Sequence, residues 1–293
     1  MAKSTSSDPT GQRINRALAS KQLKMRLEKA SVETISIFRN IPTKRQVVNA
    51  VVYGYDVNPE QAAILNSQVR QLLNNALETT GDTMPMKWFW QKYVELPVRQ
   101  GELEGLNEFN RLITIAERQG MVGAGGVTPQ RIAPEVVLSS QKYLQELRNV
   151  YMENFQVIKT LSDQTAGQVV GVINRGIKAG LTPNEIAEGI TERFDVSKSN
   201  ADRIARTEIN RAFTDSKIRA VKTASEISGF EGKVRHISAL LPNRTRKSHA
   251  ARHYLVYTPE EQERWWNQDA NRINCLCHIR TVIIDNEGNY IDA

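Results

Sequence analysis

Apolar residues recur at helical spacing over most of the chain before Gly229. Between Gln12 and Arg39 they lie three or four positions apart and leave a basic opposite face, which predicts an amphipathic helix. Asn58 and Pro59 predict the start of another helix, because an N-cap residue followed by proline favours helix initiation. The Val47–Tyr55 segment is β-branched and aromatic, and its pattern leaves open a short strand or a buried helix.

A glycine-rich stretch gives the clearest domain boundary. Residues 120–130 contain four glycines and a proline, a composition typical of a flexible joint or an extended loop. The first residues are rich in serine and threonine, which predicts disorder. The predicted division is a disordered tail at 1–11, a helical N-terminal region at 12–119, a linker at 120–130 and a C-terminal domain at 131–293, helical over 131–228 and mixed over 229–293.

The C-terminal domain is predicted to change from helices to mixed structure. Gly180 favours the end of one helix. The next helix is predicted to begin with Thr182 as N-cap, Pro183 in the first turn and Glu185 at the third position. Near the C-terminus, turn residues separate two short apolar runs, which predicts a hairpin. The predicted elements are helices at 134–161, 163–178, 183–194 and 199–228, a short strand at 233–240 and a hairpin at 277–291. The fold class is therefore α+β, with a small C-terminal antiparallel sheet and packed helices.

The composition is that of an ordinary folded protein. The 293 residues are 40% hydrophobic and 24% charged, and the mean hydropathy is −0.45. Charges interrupt every apolar run before the roughly 18 residues that a membrane span needs, and the N-terminus lacks the apolar core of a secretory signal. Cys275 and Cys277 lie too close together for a loop-closing disulfide framework. We therefore expect a soluble protein made in a reducing compartment, with thiols suited to metal binding or redox chemistry.

Positive charge is concentrated in two segments of the chain. The net charge is +7; residues 1–50 carry ten Lys/Arg against three Asp/Glu, and residues 201–250 carry eleven against five. Both segments are predicted helical and rich in arginine, which favours docking on a polyanion over a merely solvated surface. The predicted DNA- or partner-binding cations are Arg13, Arg16, Lys21, Lys24, Arg203, Arg206, Arg211, Arg244, Arg246 and Lys247.

The segment from Arg203 to Asp215 is the first that could carry chemistry. Arg206 and Asn210 lie four apart and share a helix face, and Arg211 could pair with Asp215 in the same way. A buried Arg–Glu network that holds this helix to a neighbouring sheet is favoured over a catalytic Arg/Glu pair or a DNA contact. The residues assigned this structural role are Thr207, Glu208 and Asn210.

The second such segment covers residues 241–253. Asn243 or Thr245 can cap a helix on which His249 and His253, four residues apart, point the same way. Basic residues crowd the first turn of that helix, which the helix dipole disfavours. We therefore expect a compensating anion there, either a carboxylate from elsewhere in the fold or a phosphate.

The third segment holds both cysteines at the mouth of the predicted hairpin. Residues two apart in a strand share a side, so the sulfurs of Cys275 and Cys277 could converge on one ion. Together with His249 and His253 they would form a Cys2His2 set suited to a structural zinc ion, and His278 could replace either histidine. The alternatives are two reduced cysteines packed in a small core, or redox or nucleophilic use, for which no acid–base partner is evident.

The remaining motifs argue against common enzyme classes. The chain contains no Walker loop, no dinucleotide glycine fingerprint, no HExxH and no GxSxG. The Trp265–Trp266 pair is expected to anchor a helix on the sheet rather than to stack on bases. Apart from the zinc hypothesis, no cofactor is indicated.

Three motifs follow one another in a recognisable order. Ala-Arg-Thr-Glu at 205–208 precedes Arg-Thr-Arg-x-x-His at 244–249, and Asn-Cys-x-Cys at 274–277 precedes the terminal hairpin. This order resembles the phage Mu F-like head-morphogenesis family of minor head proteins, over roughly residues 135–293. The family often has an acidic residue where this chain has Asn243 and a tryptophan where it has His236. A neutral Asn243 leaves a structural or DNA-facing role for that loop.

The resemblance implies a virion protein bound at the portal vertex inside the phage head. Its partners would be the portal protein, the major capsid or scaffold protein, and double-stranded DNA without sequence preference. It would be synthesised in the host cytoplasm, would have no membrane partner, and would act in head assembly, DNA packaging or genome ejection rather than as an enzyme. The helical region at 12–119 is where portal or capsid docking is expected.

Two other functions remain open at this point. One is a metal-dependent nuclease or nucleotide-using transferase built on Arg206, Glu208, His249 and His253. Paired carboxylates around one metal are not visible in the motifs, which counts against it. The other is a DNA-binding regulator stabilised by a zinc ion. The sequence shows no helix-turn-helix with adjacent dimer signals, which disfavours this function.

Overall fold

A computed structural model of the chain describes residues 8–48, 50–81, 84–123, 126, 128–285 and 287–292. These residues form long helices and two small antiparallel sheets, which confirms the α+β prediction. None of the described helices combines the length and the apolar character that crossing a bilayer requires. The chain folds as two compact units: unit 1 comprises the described residues of 1–17, 90–151 and 206–293, and unit 2 those of 18–89 and 152–205.

The first half of the chain contains the predicted helices, although α1 carries apolar residues on more than one side: Ile14 and Leu18 are exposed, whereas Leu23 and Leu27 are buried. In order its elements are α1 (Arg13–Arg39), β1 (Thr43–Val48), β2 (Ala50–Tyr55), α2 (Pro59–Leu77), α3 (Lys87–Phe89), a π-helical stretch (Trp90–Val94) and α4 (Glu95–Arg118). The Asn58 side chain accepts a hydrogen bond from the Gln61 backbone, and the Gln61 side chain accepts one from the Asn58 backbone. This capping box explains where α2 begins. The segment that the pattern left open is an antiparallel hairpin of β1 and β2.

The second half begins with two helices that are longer than predicted. Its elements are α5 (Pro134–Leu138), α6 (Gln141–Ala179), α7 (Pro183–Ser228), β3 (Glu231–Ile237), α8 (Lys247–Ala251), β4 (Val256–Tyr257), α9 (Pro259–Trp266), β5 (His278–Ile284) and β6 (Tyr290–Ile291). The breaks predicted at 161–163 and 194–199 are absent, because the polar residues there are satisfied inside the helices. Oγ1 of Thr165 lies 2.7 Å from the Leu161 carbonyl oxygen, Oγ of Ser197 lies 3.0 Å from the Arg193 carbonyl oxygen, and the two hydroxyl oxygens are 2.8 Å apart. One hydroxyl therefore donates to its carbonyl, and the other can donate either to its carbonyl or to the first hydroxyl.

The C-terminal sheet has the order β4-β3-β5-β6, and all its strands run antiparallel to their neighbours. The predicted hairpin is present as β5 and β6, although Asn286 of its turn lies outside the described residues. Helix α9 packs on β3, and Trp266 is buried in the core that the sheet shares with α4 and α7. The tryptophan pair therefore anchors a helix on the sheet, as predicted.

The compact units do not follow the boundary predicted in the glycine-rich stretch. Helix α4 packs on β5, so a segment that precedes residues 120–130 shares a core with the C-terminal sheet. Gly101 and Gly105 allow α4 to approach α7 closely: a Cβ at Gly101 would lie 2.1 Å from the Phe213 carbonyl oxygen. The stretch is thus a connection inside unit 1, although its residues 124, 125 and 127 lie outside the described part.

The predicted disordered tail at 1–11 is ordered in its last part. Asp8 is buried and pairs with Arg16 at 2.9 Å, and the Thr10 hydroxyl donates to Asp8 at 2.8 Å. The Arg16 guanidinium also donates to Thr10, so three polar side chains close the start of α1. Residues 1–7 of the predicted tail lie outside the described residues.

Candidate functional site

The motif on α7 fixes the segment that leads into β5. The Thr207 hydroxyl accepts a hydrogen bond from the Asn274 backbone N–H at 3.1 Å, and the Asn210 amide donates to the Cys277 carbonyl at 3.3 Å. Thr207 and Asn210 lie three apart, so they share one face of the helix. Glu208 is buried beside them. The motif side chains therefore hold backbone atoms at both ends of the Asn-Cys-x-Cys segment.

The Arg-Thr-Arg loop is anchored to the chain that precedes this segment. The Arg246 guanidinium donates to the carbonyls of Ala270, Asn271 and Ile273 at 2.9, 2.6 and 3.1 Å. Arg246 occupies the N-cap of α8 without a side-chain cap bond, so neither Asn243 nor Thr245 caps the helix as expected. The expected counter-anion for Arg246 is replaced by three backbone carbonyls.

Two histidines and two cysteines converge beneath this loop. Nδ1 of His249, on α8, lies 3.3 Å from Sγ of Cys277 and 3.6 Å from Sγ of Cys275. His236, on β3, places a ring nitrogen within 4.8 Å of the ligand atoms of His249 and Cys277. All four side chains are at most 5% exposed. We call this group the His/Cys cluster.

The cluster differs in one ligand from the predicted zinc set. His253 does not join it, because α8 ends at Ala251 and the four-residue helical spacing no longer applies. Nδ1 of His253 instead accepts the Ser238 backbone N–H at 3.1 Å. His236 takes its place, and sequence reasoning missed it. The usable signal was strand alternation, since His236 lies two residues after Val234 and points to the same buried face of β3.

Hydrogen bonds set the electrostatics of the His/Cys cluster. Burial lowers the pKa of His236 to about 3, so its ring is neutral near pH 7. Its Nδ1 lies 3.2 Å from the Gln262 amide oxygen, which fixes the proton on Nδ1 and leaves Nε2 as the acceptor. The hydrogen bond between the thiols lowers the pKa of Cys275 and raises that of Cys277, whose pKa burial raises further.

A positively charged cleft opens next to the cluster. Its volume is about 220 Å³, and Arg206, Arg244 and Arg246 contribute three guanidinium groups to its walls. Among the residues that the structure describes, no carboxylate lines this cleft. Arg244 is exposed, and Arg206 is half-buried. We call this feature the arginine cleft; its other lining residues are Ala239, Leu241, Thr245, His249, Asn274, Cys275, Leu276 and Cys277.

His278, the predicted substitute ligand, lies in a different group of side chains. Lys217 of α7 is fully buried, and its ammonium donates to Glu104 at 2.7 Å and to Glu108 at 2.9 Å. Nε2 of His278 lies 3.1 Å from the same nitrogen. Although burial raises the pKa of Glu104, hydrogen bonds from His278 and Lys217 lower it to about 2. We call this group the Lys217 cluster.

The other predicted cations divide into paired and exposed side chains. Arg16 is buried and held by Asp8 and Thr10, so it is not available to a polyanion. Lys24 pairs with Asp202, and Arg211 pairs with Asp215 as the spacing predicts. The exposed members of the predicted set are Arg13, Lys21, Arg203, Arg246 and Lys247, besides Arg244.

Comparison with known proteins identifies one family. Residues 168–280 match the family model described as Phage Mu protein F like protein, which confirms the resemblance that the motifs carry. The match covers less than half of the chain and shows that this region is similar to that family. No curated protein and no solved structure matches the chain. The matched range contains both the His/Cys cluster and the arginine cleft.

Proposed function

We propose that this chain, which carries the Mu F-like region at 168–280, is a minor head protein at the portal vertex that contacts packaged DNA and the portal protein. The arginine cleft would bind DNA phosphates, and α1 would dock on the portal. The single observation that carries the DNA contact is the cleft lined by three arginines and, among the described residues, by no carboxylate.

The chemistry of the arginine cleft suits a phosphate rather than a base. Guanidinium groups bind phosphate oxygens through paired hydrogen bonds, and Arg206 and Arg244 come from separate segments that face one space. Arg246 is already bound to carbonyls, so it contributes mainly its charge. Contacts confined to phosphates give binding without sequence preference, which is what packaged DNA requires.

DNA binding by the full-length chain tests this half of the proposal. In Arg206→Gln/Arg244→Gln, affinity for duplex DNA should fall about tenfold or more, and the slope of log K against log salt should become shallower by roughly 1.8, at 0.9 per lost phosphate contact. The matched control is Arg264→Gln/Arg280→Gln, which removes two exposed charges of unit 1 outside the cleft. An equal loss of DNA affinity in both double variants, or an affinity that does not change with salt concentration, would contradict the proposal.

The surface of α1 supports the docking half. Ile14, Leu18, Met25 and Val32 are between 48% and 75% exposed. Their spacings of four, seven and seven residues place them on one side of the helix. Leu23 and other apolar residues on a different side of α1 are buried. An exposed apolar stripe of this kind fits an apolar groove or a partner helix, and in a head protein the portal is the partner we propose.

Complementation of a phage that lacks this gene tests the docking half. With Leu18→Ser/Met25→Ser, the amount of the protein in purified particles should fall severalfold, while DNA binding by the isolated chain stays unchanged. The matched control, Met152→Ser/Val196→Ser, replaces two comparably exposed apolar residues on α6 and α7. Normal incorporation of the Leu18/Met25 variant would rule out α1 as the docking surface.

The nuclease or transferase alternative has less support. Glu208 is buried, Nδ1 of His249 faces the two sulfurs, and His253 accepts a backbone N–H, so these side chains do not converge on one substrate position. Plasmid DNA incubated with the chain and Mg2+ or Zn2+ should stay intact. Cleavage that disappears in Arg206→Ala or His249→Ala would revive this alternative.

A further inference from the structure

We infer that His236, His249, Cys275 and Cys277 form a closed, four-coordinate site for one zinc ion. The inference goes beyond the proposed function, because neither DNA contact nor docking on the portal requires a metal. It also replaces the ligand set that the sequence suggested, with His236 in the place of His253. Its support comes from the spacing of the ligand atoms, the hydrogen bonds around them and the position of the site in the fold.

The ligand atoms already have nearly the separations of a tetrahedral zinc site. With zinc–sulfur bonds near 2.3 Å and zinc–nitrogen bonds near 2.05 Å, sulfur and nitrogen ligands should lie roughly 3.6 Å apart. Nδ1 of His249 lies 3.3 Å from the Cys277 sulfur and 3.6 Å from the Cys275 sulfur. A His236 ring nitrogen lies within 4.8 Å of the His249 and Cys277 ligand atoms. The two separations between His249 and the sulfurs are therefore already close to those of a tetrahedral site, and the His236 ring would have to move towards them for all four side chains to bind one ion.

The His236 ring is prepared for a ligand role by its neighbour. Gln262 engages Nδ1, and the opposite nitrogen, Nε2, is buried without a hydrogen-bond partner among the described residues. Buried polar atoms are nearly always satisfied, so this orphaned nitrogen, on a ring that lies in one group with His249 and Cys277, indicates a missing partner. Gln262 thus has the position of the outer partner that holds a metal-bound imidazole in one tautomer.

The sulfurs have a similar outer partner. Oγ of Ser238 lies 3.8 Å from Sγ of Cys277, and the Cys277 backbone N–H points to Sγ of Cys275 at 3.3 Å. Both groups can donate to a thiolate. Binding of Zn2+ replaces each S–H bond with an S–Zn bond and releases the protons to solvent, so no oxidant or reductant takes part.

The place of the site in the fold indicates a structural ion. The ligands come from β3, from α8 and from the segment just before β5, and the long connection between the paired strands β3 and β5 contains only α8, α9 and the two-residue β4. An ion bound there would tie this connection to the sheet. Because four protein ligands fill the tetrahedral set, no position is left open to substrate as it is in catalytic zinc sites.

Metal analysis of the purified full-length chain tests the inference. We expect about one zinc per chain in the wild type, and a loss of at least fivefold in His236→Asn and in Cys275→Ser. The matched control is His253→Asn, which changes the neighbouring histidine that lies outside the cluster and should keep its zinc. Replacement of zinc by Co2+ should give the thiolate charge-transfer band and the intense visible bands of a tetrahedral site in the wild type.

The outcomes separate the inference from its competitors. Loss of zinc in His253→Asn with retention in His236→Asn would overturn the ligand set. A wild-type chain that contains no zinc and gives no tetrahedral Co2+ spectrum would leave a hydrogen-bonded thiol–imidazole core and overturn the inference entirely. Should His236→Asn fail to fold, X-ray absorption at the zinc edge of the wild type decides: two sulfur and two nitrogen ligands support the site, and any other donor set contradicts it.

Discussion

The described residues of unit 1 include two groups of side chains that could bind a metal ion. The groups differ in what lies between the potential ligand atoms. In the Lys217 cluster, the ammonium of Lys217 sits within 3.1 Å of Glu104, Glu108 and His278. In the His/Cys cluster, no protein cation lies between the ligand atoms of the described residues. The Lys217 ammonium already supplies the positive charge that the two carboxylates need, whereas the thiols and imidazoles of the other cluster have no such internal partner. Proximity of ligand residues is therefore insufficient to indicate a metal site.

The two groups also explain why adjacent residues have different roles. Cys277 and His278 are neighbours at the entry to β5, and successive side chains of an extended chain point to opposite sides. Cys277 therefore faces His249, and His278 faces Lys217. For this reason His278 cannot substitute for a histidine of the His/Cys cluster.

Replacement of Lys217, the cation inside its cluster, should have the largest effect on the free energy of unfolding. Lys217→Met removes a fully buried ammonium and leaves the partly buried carboxylates of Glu104 and Glu108 without their partner, which should lower the free energy of unfolding by about 3–5 kcal/mol in urea titrations. The control is Lys222→Met, whose half-exposed pairs with Glu260 and Glu263 should be worth about 1 kcal/mol or less. Equal losses in the two variants would mean that the Lys217 cluster contributes no more than a surface ion pair.

Removal of zinc should have the next largest effect, confined to the other cluster. If zinc is bound at 100 to 1,000 times its dissociation constant, chelation should cost about 3–4 kcal/mol and lower the melting temperature by roughly 5–15 °C. The chelator should cause no further change in Cys275→Ser, which lacks a ligand, and should still act on Lys217→Met. A wild-type melting temperature that does not change when the chelator is added would contradict the expectation.

A smaller effect should follow from moving α4 away from α7. A Cβ at Gly105 would lie 2.6 Å from Cβ of Ala220 and 3.0 Å from the Lys217 carbonyl oxygen. Gly105→Ala should therefore displace Glu104 and Glu108 from Lys217 and destabilise the chain by about 2 kcal/mol. Gly167→Ala in α6 is the control, because no atom lies within 4 Å of its added Cβ. That change should stabilise the helix by about 0.5–1 kcal/mol, and both are measured by urea unfolding.

The smallest expected effect is the acid dependence of the Lys217 cluster. The pKa of Glu104 is about 2 in the folded chain against 4.5 for the free group, so its contribution is present above pH 4.5 and is lost as the pH falls towards 2. Because the carboxyl is partly exposed, we expect about 1 kcal/mol. The slope of stability against pH between 4.5 and 2 should be shallower in Glu104→Gln, and an unchanged slope would exclude this group as its source.

Elements with local signals could be predicted from the sequence. The periodicity of α1, the capping residues of α2 and the turn between β5 and β6 all act within a few residues, and these elements are confirmed. The order of the three motifs also indicated a resemblance to the Mu F-like family, and the match over 168–280 confirms that resemblance. Local sequence signals were sufficient to predict the elements whose backbone groups are satisfied by residues nearby in the chain.

Features that depend on distant partners could not be predicted. The continuity of α7 through 194–199 depends on the Ser197 hydroxyl finding Thr165 and a carbonyl of its own helix. The docking of α4 on β5 depends on glycines whose neighbours belong to α7. Strand alternation could have placed His236 on the buried face of β3, but its approach to the cysteines depends on the pairing of β3 with β5, which are far apart in sequence.

The hydrogen bonds of Thr207 and Asn210 end on main-chain atoms of Asn274 and Cys277. Hydrogen bonds to main-chain atoms do not depend directly on which side chains the bound segment carries. Cys275 and Cys277 are inferred zinc ligands, and Asn274 has a φ of 55°, a conformation that few side chains other than asparagine tolerate. Leu276 is therefore the position at which a new side chain could alter what the arginine cleft accepts. A library randomised at this position alone would vary recognition while the hydrogen bonds to the main chain are kept.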